Sequence, residues 1–139
     1  MLTRACEYGI QAVICLAKKP VGQYTLIRDI SKGLKIPHHF LGKIMQTLVK
    51  ADILTSHKGP KGGLTLSKKS SDITMMDIVT AIDGTDFIPE CIIGYKKCDD
   101  TSKCPLHLTW CDKREEIQQM FSNESIAKLV EDLEISSPN

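Results

Sequence analysis

Cys91, Cys98, Cys104 and His107 carry the side chains best suited to chemistry in this 139-residue chain. Six residues separate the first two cysteines and five the next two, and an imidazole follows after two more. Thiolates are soft donors that select zinc, copper(I) or iron–sulfur clusters, and imidazole serves zinc and iron. Structural zinc sites draw on closely spaced cysteine pairs that converge from one tight turn, and no such pair occurs here. The wider spacing lets a loop wrap something bulkier than one ion, which leans toward an iron–sulfur cluster. A thiol switch built from the same cysteines stays open. Cys111 lies four residues beyond His107, so positions 104, 107 and 111 share one helix face if a helix starts early enough there. Cys6 and Cys15 fall inside an apolar periodic segment and read as core packing rather than as ligands.

Something must hold these donors in place. Residues 85–104 show no apolar periodicity, which reads as a loop ordered by what it binds. Ahead of it, Leu2, Ala5, Cys6, Ile10, Val13, Ile14 and Leu16 recur at helical spacing, and Pro20 and Gly22 end that helix. Thr25 is placed to cap a second helix bearing Leu26, Ile27, Ile30 and Leu34, with Gly33 loosening its end. Pro37 fits the first turn of a third helix, with Phe40, Leu41, Ile44, Met45, Leu48 and Val49 facing inward. Two β-prone runs then flank Lys58-Gly59-Pro60-Lys61-Gly62-Gly63, a hairpin with a basic tip. Ile73 to Ile82 suggests a fourth helix stopped at Gly84. A longer helix from about Pro105 to Phe121 is expected to hold Trp110 and Phe121 outside the compact domain, where a second copy of the chain would cover them. Ser122 or Asn123 is placed to cap a last helix through Ile126, Leu129, Val130 and Leu133.

These elements predict a mainly α fold with a small β-hairpin wing. A winged helix-turn-helix domain (1–84) precedes a cluster-binding loop (85–104), then a dimerisation helix, a final helix and a tail (105–139). The charge agrees. A formal net charge of +1 conceals twelve Lys+Arg against three Asp+Glu in residues 1–70, and six against fourteen in residues 71–139. An excess of nine positive charges in the first half fits a module that meets a polyanion. On the expected recognition helix, His38, His39 and Lys43 stand where side chains reach base edges or phosphate, with the two histidines equally able to cap their own helix. Lys58 and Lys61 at the wing tip and Arg28 on the second helix suit phosphate contacts that set register.

The string Cys104-Pro105-Leu106-His107-Leu108-Thr109-Trp110, preceded by Cys98 and Cys91, resembles the cluster loop of the IscR/NsrR/CymR-type regulators, and of the IscR branch above all. The double-glycine wing Ser56 to Leu64, the opening Met1-Leu2-Thr3 and Phe40-Leu41-Gly42-Lys43-Ile44 resemble the same family, over residues 1 to about 133. The resemblance implies a dimeric winged-helix transcription regulator whose Cys91, Cys98, Cys104 and His107 hold a cluster, 2Fe–2S before 4Fe–4S. It also makes Glu7 an alternative fourth ligand, placed as in NsrR-like members, with Cys111 a third candidate. Two departures stand out. The family commonly has five residues between its first two cysteines where this chain has six, and Lys58 replaces a usual arginine, losing the planar fork that suits a narrow minor groove.

The expected function is a homodimeric regulator that binds a pseudo-palindromic site on double-stranded DNA and senses iron–sulfur, redox or nitric oxide status through its cluster. Two other readings are weighed against it. One keeps the DNA-binding fold with a cluster-free thiol, zinc or partner-protein switch; the other is a small iron–sulfur electron carrier. No nucleophile with a paired base and no phosphate-cradling glycine loop argues for an enzyme or a small-molecule substrate. No apolar run reaches the length of a membrane span, and clustered thiols without an export signal suit a reducing cytoplasm.

Overall fold

The structure, a computed structural model, describes residues 2–95 and 104–136. In chain order the described elements are α1 (Arg4–Ala17), α2 (Ile27–Leu34), α3 (His38–Lys50), β1 (Leu54–His57), β2 (Gly63–Leu66), α4 (Met75–Asp83), α5 (His107–Asn123) and α6 (Ile126–Ser136). Single 3-10 turns at Ser70–Asp72 and Thr85–Phe87 lead into and out of α4. The strands pair antiparallel, Leu54 opposite Leu66 and His57 opposite Gly63, with Lys58 and Lys61 on the turn between them. A mainly helical chain with one hairpin wing is the expected fold.

Side-chain caps fix the starts of α1, α4 and α6. Thr3 caps α1, its hydroxyl accepting the Cys6 N–H at 3.1 Å. Thr74 and Asp77 close a reciprocal capping box on α4, with N–H to side-chain distances of 3.0 and 3.1 Å. Thr25, however, does not cap α2. Its N–H and C=O both bond Leu64, at 2.9 and 2.8 Å, so it lies extended beside the hairpin and Leu26 takes the cap position with no side-chain bond. Nor does Gly33 end that helix. Lys35 does, in the left-handed conformation at φ 58°, while the Ser31 hydroxyl bonds the Ile36 carbonyl.

Helices α1, α3 and α4 enclose a core built on Ala12, Val13, Leu41, Leu48 and Ile78. The final helix joins it. Ile126 is fully buried and its N–H bonds the Ile73 carbonyl at 2.8 Å, drawing α6 back against α1. Ser125 supplies the α6 cap, accepting the Lys128 N–H at 3.2 Å; Ser122 and Asn123 still belong to the last turn of α5 and cannot do so.

Helix α5 corrects a further expectation. Phe121 is only 8% exposed, its ring 5.6 Å from that of Phe87, so the C-terminal half of α5 packs on its own chain beside α4. Trp110 is half-buried, and its indole N–H donates to the Pro89 carbonyl at 2.9 Å. Leu106, Leu108 and Met120 are the large apolar side chains that α5 and its lead-in leave to solvent, Leu108 at 71% exposure.

Candidate metal-cluster pocket and DNA-facing groove

The first turn of α5 and the segment before Tyr95 meet in a small pocket of about 10 Å³, lined by Cys91, Ile92, Ile93, Cys104, Leu106, His107 and Trp110. Cys91 and His107 are each 6% exposed, and Cys104 is half-buried. Two backbone-level ties build the pocket. The His107 N–H donates to the Cys104 carbonyl at 3.2 Å, and Trp110 holds Pro89 just ahead of Cys91. Three of the four expected ligands are thus drawn to one place; the fourth, Cys98, lies outside the described residues. Among the described residues no three His, Cys, Asp or Glu side chains converge tightly enough to hold a single ion. The donor chemistry, two thiols and an imidazole within apolar walls, fits a soft metal–sulfur centre better than a hard cation.

The two alternative donors differ. Cys111, one turn along α5, places Sγ 3.7 Å from His107 Nε2. Glu7 is not part of the pocket lining; it stands on the first turn of α1, its carboxylate 4.0 Å from Arg4 Nε. Cys6 and Cys15 pack where the sequence placed them, Cys6 fully enclosed and Cys15 against the core. Burial, reinforced by the Asp83 carboxylate, pushes the Cys6 thiol up to about 12, which leaves it protonated and unsuited to metal. That same carboxylate receives the Thr3 N–H at 3.1 Å and the Thr3 hydroxyl at 2.6 Å, joining the end of α4 to the start of α1.

On another face an open groove of about 530 Å³ runs between the starts of α2 and α3 and the wing. Arg28 and His38 line it from the helices, Ser56, His57, Gly59 and Pro60 from the hairpin, over a floor of Leu26, Ile27 and Leu64. His39, Lys43, Lys58 and Lys61 are exposed outside that lining, and among the described residues none of the six expected contacts is tied up in an ion pair. His38 and His39 do not cap α3, which starts after Pro37 with no side-chain bond. Sequence reasoning missed Ser56 and His57. Alternation along β1 could have suggested one of these neighbours but not both, since adjacent strand residues point to opposite faces; Tyr24 packs against His57 with tilted rings whose centroids are 5.3 Å apart.

The wing is fixed to the helices by close backbone contact. Gly63 sits at φ 132°, and a Cβ there would collide with the Thr25 carbonyl. At Gly62 the collision would be with the His57 carbonyl across the turn. Gly62 is therefore required by close approach, and Gly63 by close approach and positive φ together.

The Rrf2 profile, described as that of an iron-dependent transcriptional regulator, matches residues 2–132. The chain belongs to the Rrf2 family. An Aquifex aeolicus chain assigned as an HTH-type transcriptional regulator is 32% identical to it over 123 residues, spanning 86% of this chain and 85% of that one. The IscR of Yersinia pseudotuberculosis is 28% identical over 134 residues, 96% of this chain and 81% of the other. Among solved structures, CymR, the global cysteine regulator of B. subtilis, superposes with a TM-score of 0.79 at 22% identity, covering 94% and 96% of the two chains. The T. potens IscR gives 0.78 at 18% identity, covering 100% and 92%. The fold of this Rrf2 protein is accordingly a winged helix, and its role is DNA-binding transcriptional regulation rather than enzymatic catalysis. Among the described residues no helix is long and apolar enough to cross a membrane.

Proposed function

We propose that this Rrf2 protein acts as a homodimer on double-stranded DNA and reports iron–sulfur, redox or nitric oxide status through a 2Fe–2S cluster held by Cys91, Cys98, Cys104 and His107. The observation that carries this reading is the pocket at the start of α5, lined jointly by Cys91, Cys104 and His107. When bound, the cluster supplies a one-electron centre whose potential a histidine ligand raises relative to four thiolates. The chain's own residues do the rest. Trp110 and the His107 N–H close both ends of the ligand-bearing segment onto α5. A change in the order of that segment therefore acts on α5 and, through residues 84–90, on α4. The Asp83–Thr3 bonds carry it on to α1 in the DNA-binding domain. Leu106, Leu108 and Met120 offer the apolar surface on which a second copy would pair, so that two α3 helices face successive major grooves of a pseudo-palindromic operator. A reducing cytoplasm is the compartment in which such thiols stay available.

Anaerobic purification tests the reading. The protein is expected to be coloured and to contain iron and acid-labile sulfide, and Cys98→Ala or Cys104→Ala abolishes both. Sedimentation of the loaded protein is expected to give a dimer that Leu108→Asp weakens. A colourless protein fully occupied by zinc rejects the proposal.

One observation favours a second reading. Cys91 and Cys104 line one pocket, so the same cysteines also suit a cluster-free thiol switch on the same DNA-binding fold. Iron-free protein whose DNA affinity changes reversibly with peroxide and dithiothreitol, and no longer does so in Cys91→Ser, would select it.

A further inference from the structure

Position 107 opens α5, and its side chain is nearly enclosed although it is polar. One turn later Cys111 is half-buried on the same helix, and the four-residue spacing stacks its side chain over the imidazole. The Sγ to Nε2 separation of 3.7 Å is within hydrogen-bonding range for sulfur, a large and diffuse acceptor. A histidine that binds metal through one ring nitrogen presents the other as an N–H. The partner of that N–H fixes the tautomer, the ring orientation and the basicity of the ligand. The usual partner is a carboxylate, a backbone carbonyl or water. Here the atom at Nε2 is a thiol sulfur, contributed by the same helix one turn on.

We propose that Cys111 is a positioning residue for His107: its sulfur accepts the Nε2–H, so that His107 faces the cluster pocket through Nδ1 with its basicity set by that bond. This rests on the iron–sulfur reading above and adds to it the ring nitrogen used and the residue that controls it. Cys111 is thereby separated from Cys91, Cys98 and Cys104: it tunes a ligand and is not one. Sulfur is a weaker acceptor than a carboxylate, so it donates only modest electron density to the ring and leaves the histidine a mild ligand. Removing it takes that density away and raises the midpoint potential.

The test compares wild type with Cys111→Ala, Cys111→Val and Cys111→Ser, each reconstituted anaerobically with iron and sulfide. Iron and sulfide per chain, midpoint potential and the histidine nitrogen coupling in pulsed EPR of the reduced protein are the readouts. Alanine and valine are expected to keep wild-type iron and sulfide while shifting the nitrogen coupling and raising the potential. Serine, which keeps an acceptor, lies nearer wild type. A purely structural residue would leave coupling and potential where they were, so variants matching wild type in both overturn the inference. Loss of iron and sulfide in all three variants overturns it also, by making Cys111 a ligand. A wild type that takes up no iron or sulfide removes the cluster reading and this inference together, whereas a loaded wild type with unaffected variants removes only the inference.

Discussion

Cys6 illustrates how much a single enclosed atom can record. Its sulfur has no contact with solvent, and burial with the nearby Asp83 carboxylate raises its pKa from 9.0 to about 12. The unfolded thiol ionises first, so the folded state holds the extra proton between those values. Stability from this group is complete below about pH 9 and is lost as pH climbs toward 12. Urea titrations across this range are expected to show a decline of at most about 1.4 kcal/mol per pH unit, absent in Cys6→Ala. Gly63 is the other residue whose surroundings decide everything. Gly63→Ala places a Cβ against the Thr25 carbonyl on a left-handed backbone and is expected to cost about 1–3 kcal/mol in chemical denaturation, while weakening DNA binding through the displaced wing. The glycine pair was legible in the sequence as a turn. The strict requirement at Gly63 was not, because the colliding Thr25 carbonyl belongs to a residue far away in the chain.

At the level of elements, periodicity located every described helix and the hairpin, since one buried face at the right spacing suffices to specify each. Ends were harder to read. Thr25 has a good capping side chain, but a strand-like pairing with Leu64 claimed its backbone first. Ser122 was equally plausible on composition, yet α5 runs past it and Ser125 takes the role. Thr74 went unnoticed as half of a reciprocal cap because its partner is Asp77 rather than the commoner glutamate. Thr74→Ala is expected to lower stability by about 1 kcal/mol, seen as a reduced urea midpoint with unchanged slope. The inward turn of Phe121 also escaped the sequence, since it depends on the short turn at Thr85–Phe87 delivering Phe87 to it. In the candidate site the donor types and spacing could be read directly. The nearness of Cys111 to His107 was legible only on condition that α5 begins early enough, as it does at His107, and the pinning of their segment by Trp110 was not legible at all.

For the molecule as a whole, charge is divided as the work is divided. The half with nine excess positive charges holds the groove and the wing, and the acidic half holds α5, with Asp112, Glu115 and Glu116 on its surface. Lys58→Ala with Lys61→Ala is expected to weaken operator and random DNA alike and to reduce the slope of log affinity against log salt by about 1 for each lysine, as filter binding at several salt concentrations would show. Equal loss on both DNAs marks them as phosphate contacts. The attachment of the hairpin to Thr25 has a mechanical consequence. With two backbone bonds and the tight Gly63 approach joining it to Thr25, and the Gly62 approach closing its own turn, the wing is held firmly against the start of α2. In the dimer proposed above, torque arriving through Asp83 and Thr3 would turn each reading head as one stiff body, so that the signal would be expressed in the spacing and angle between heads rather than in the shape of either.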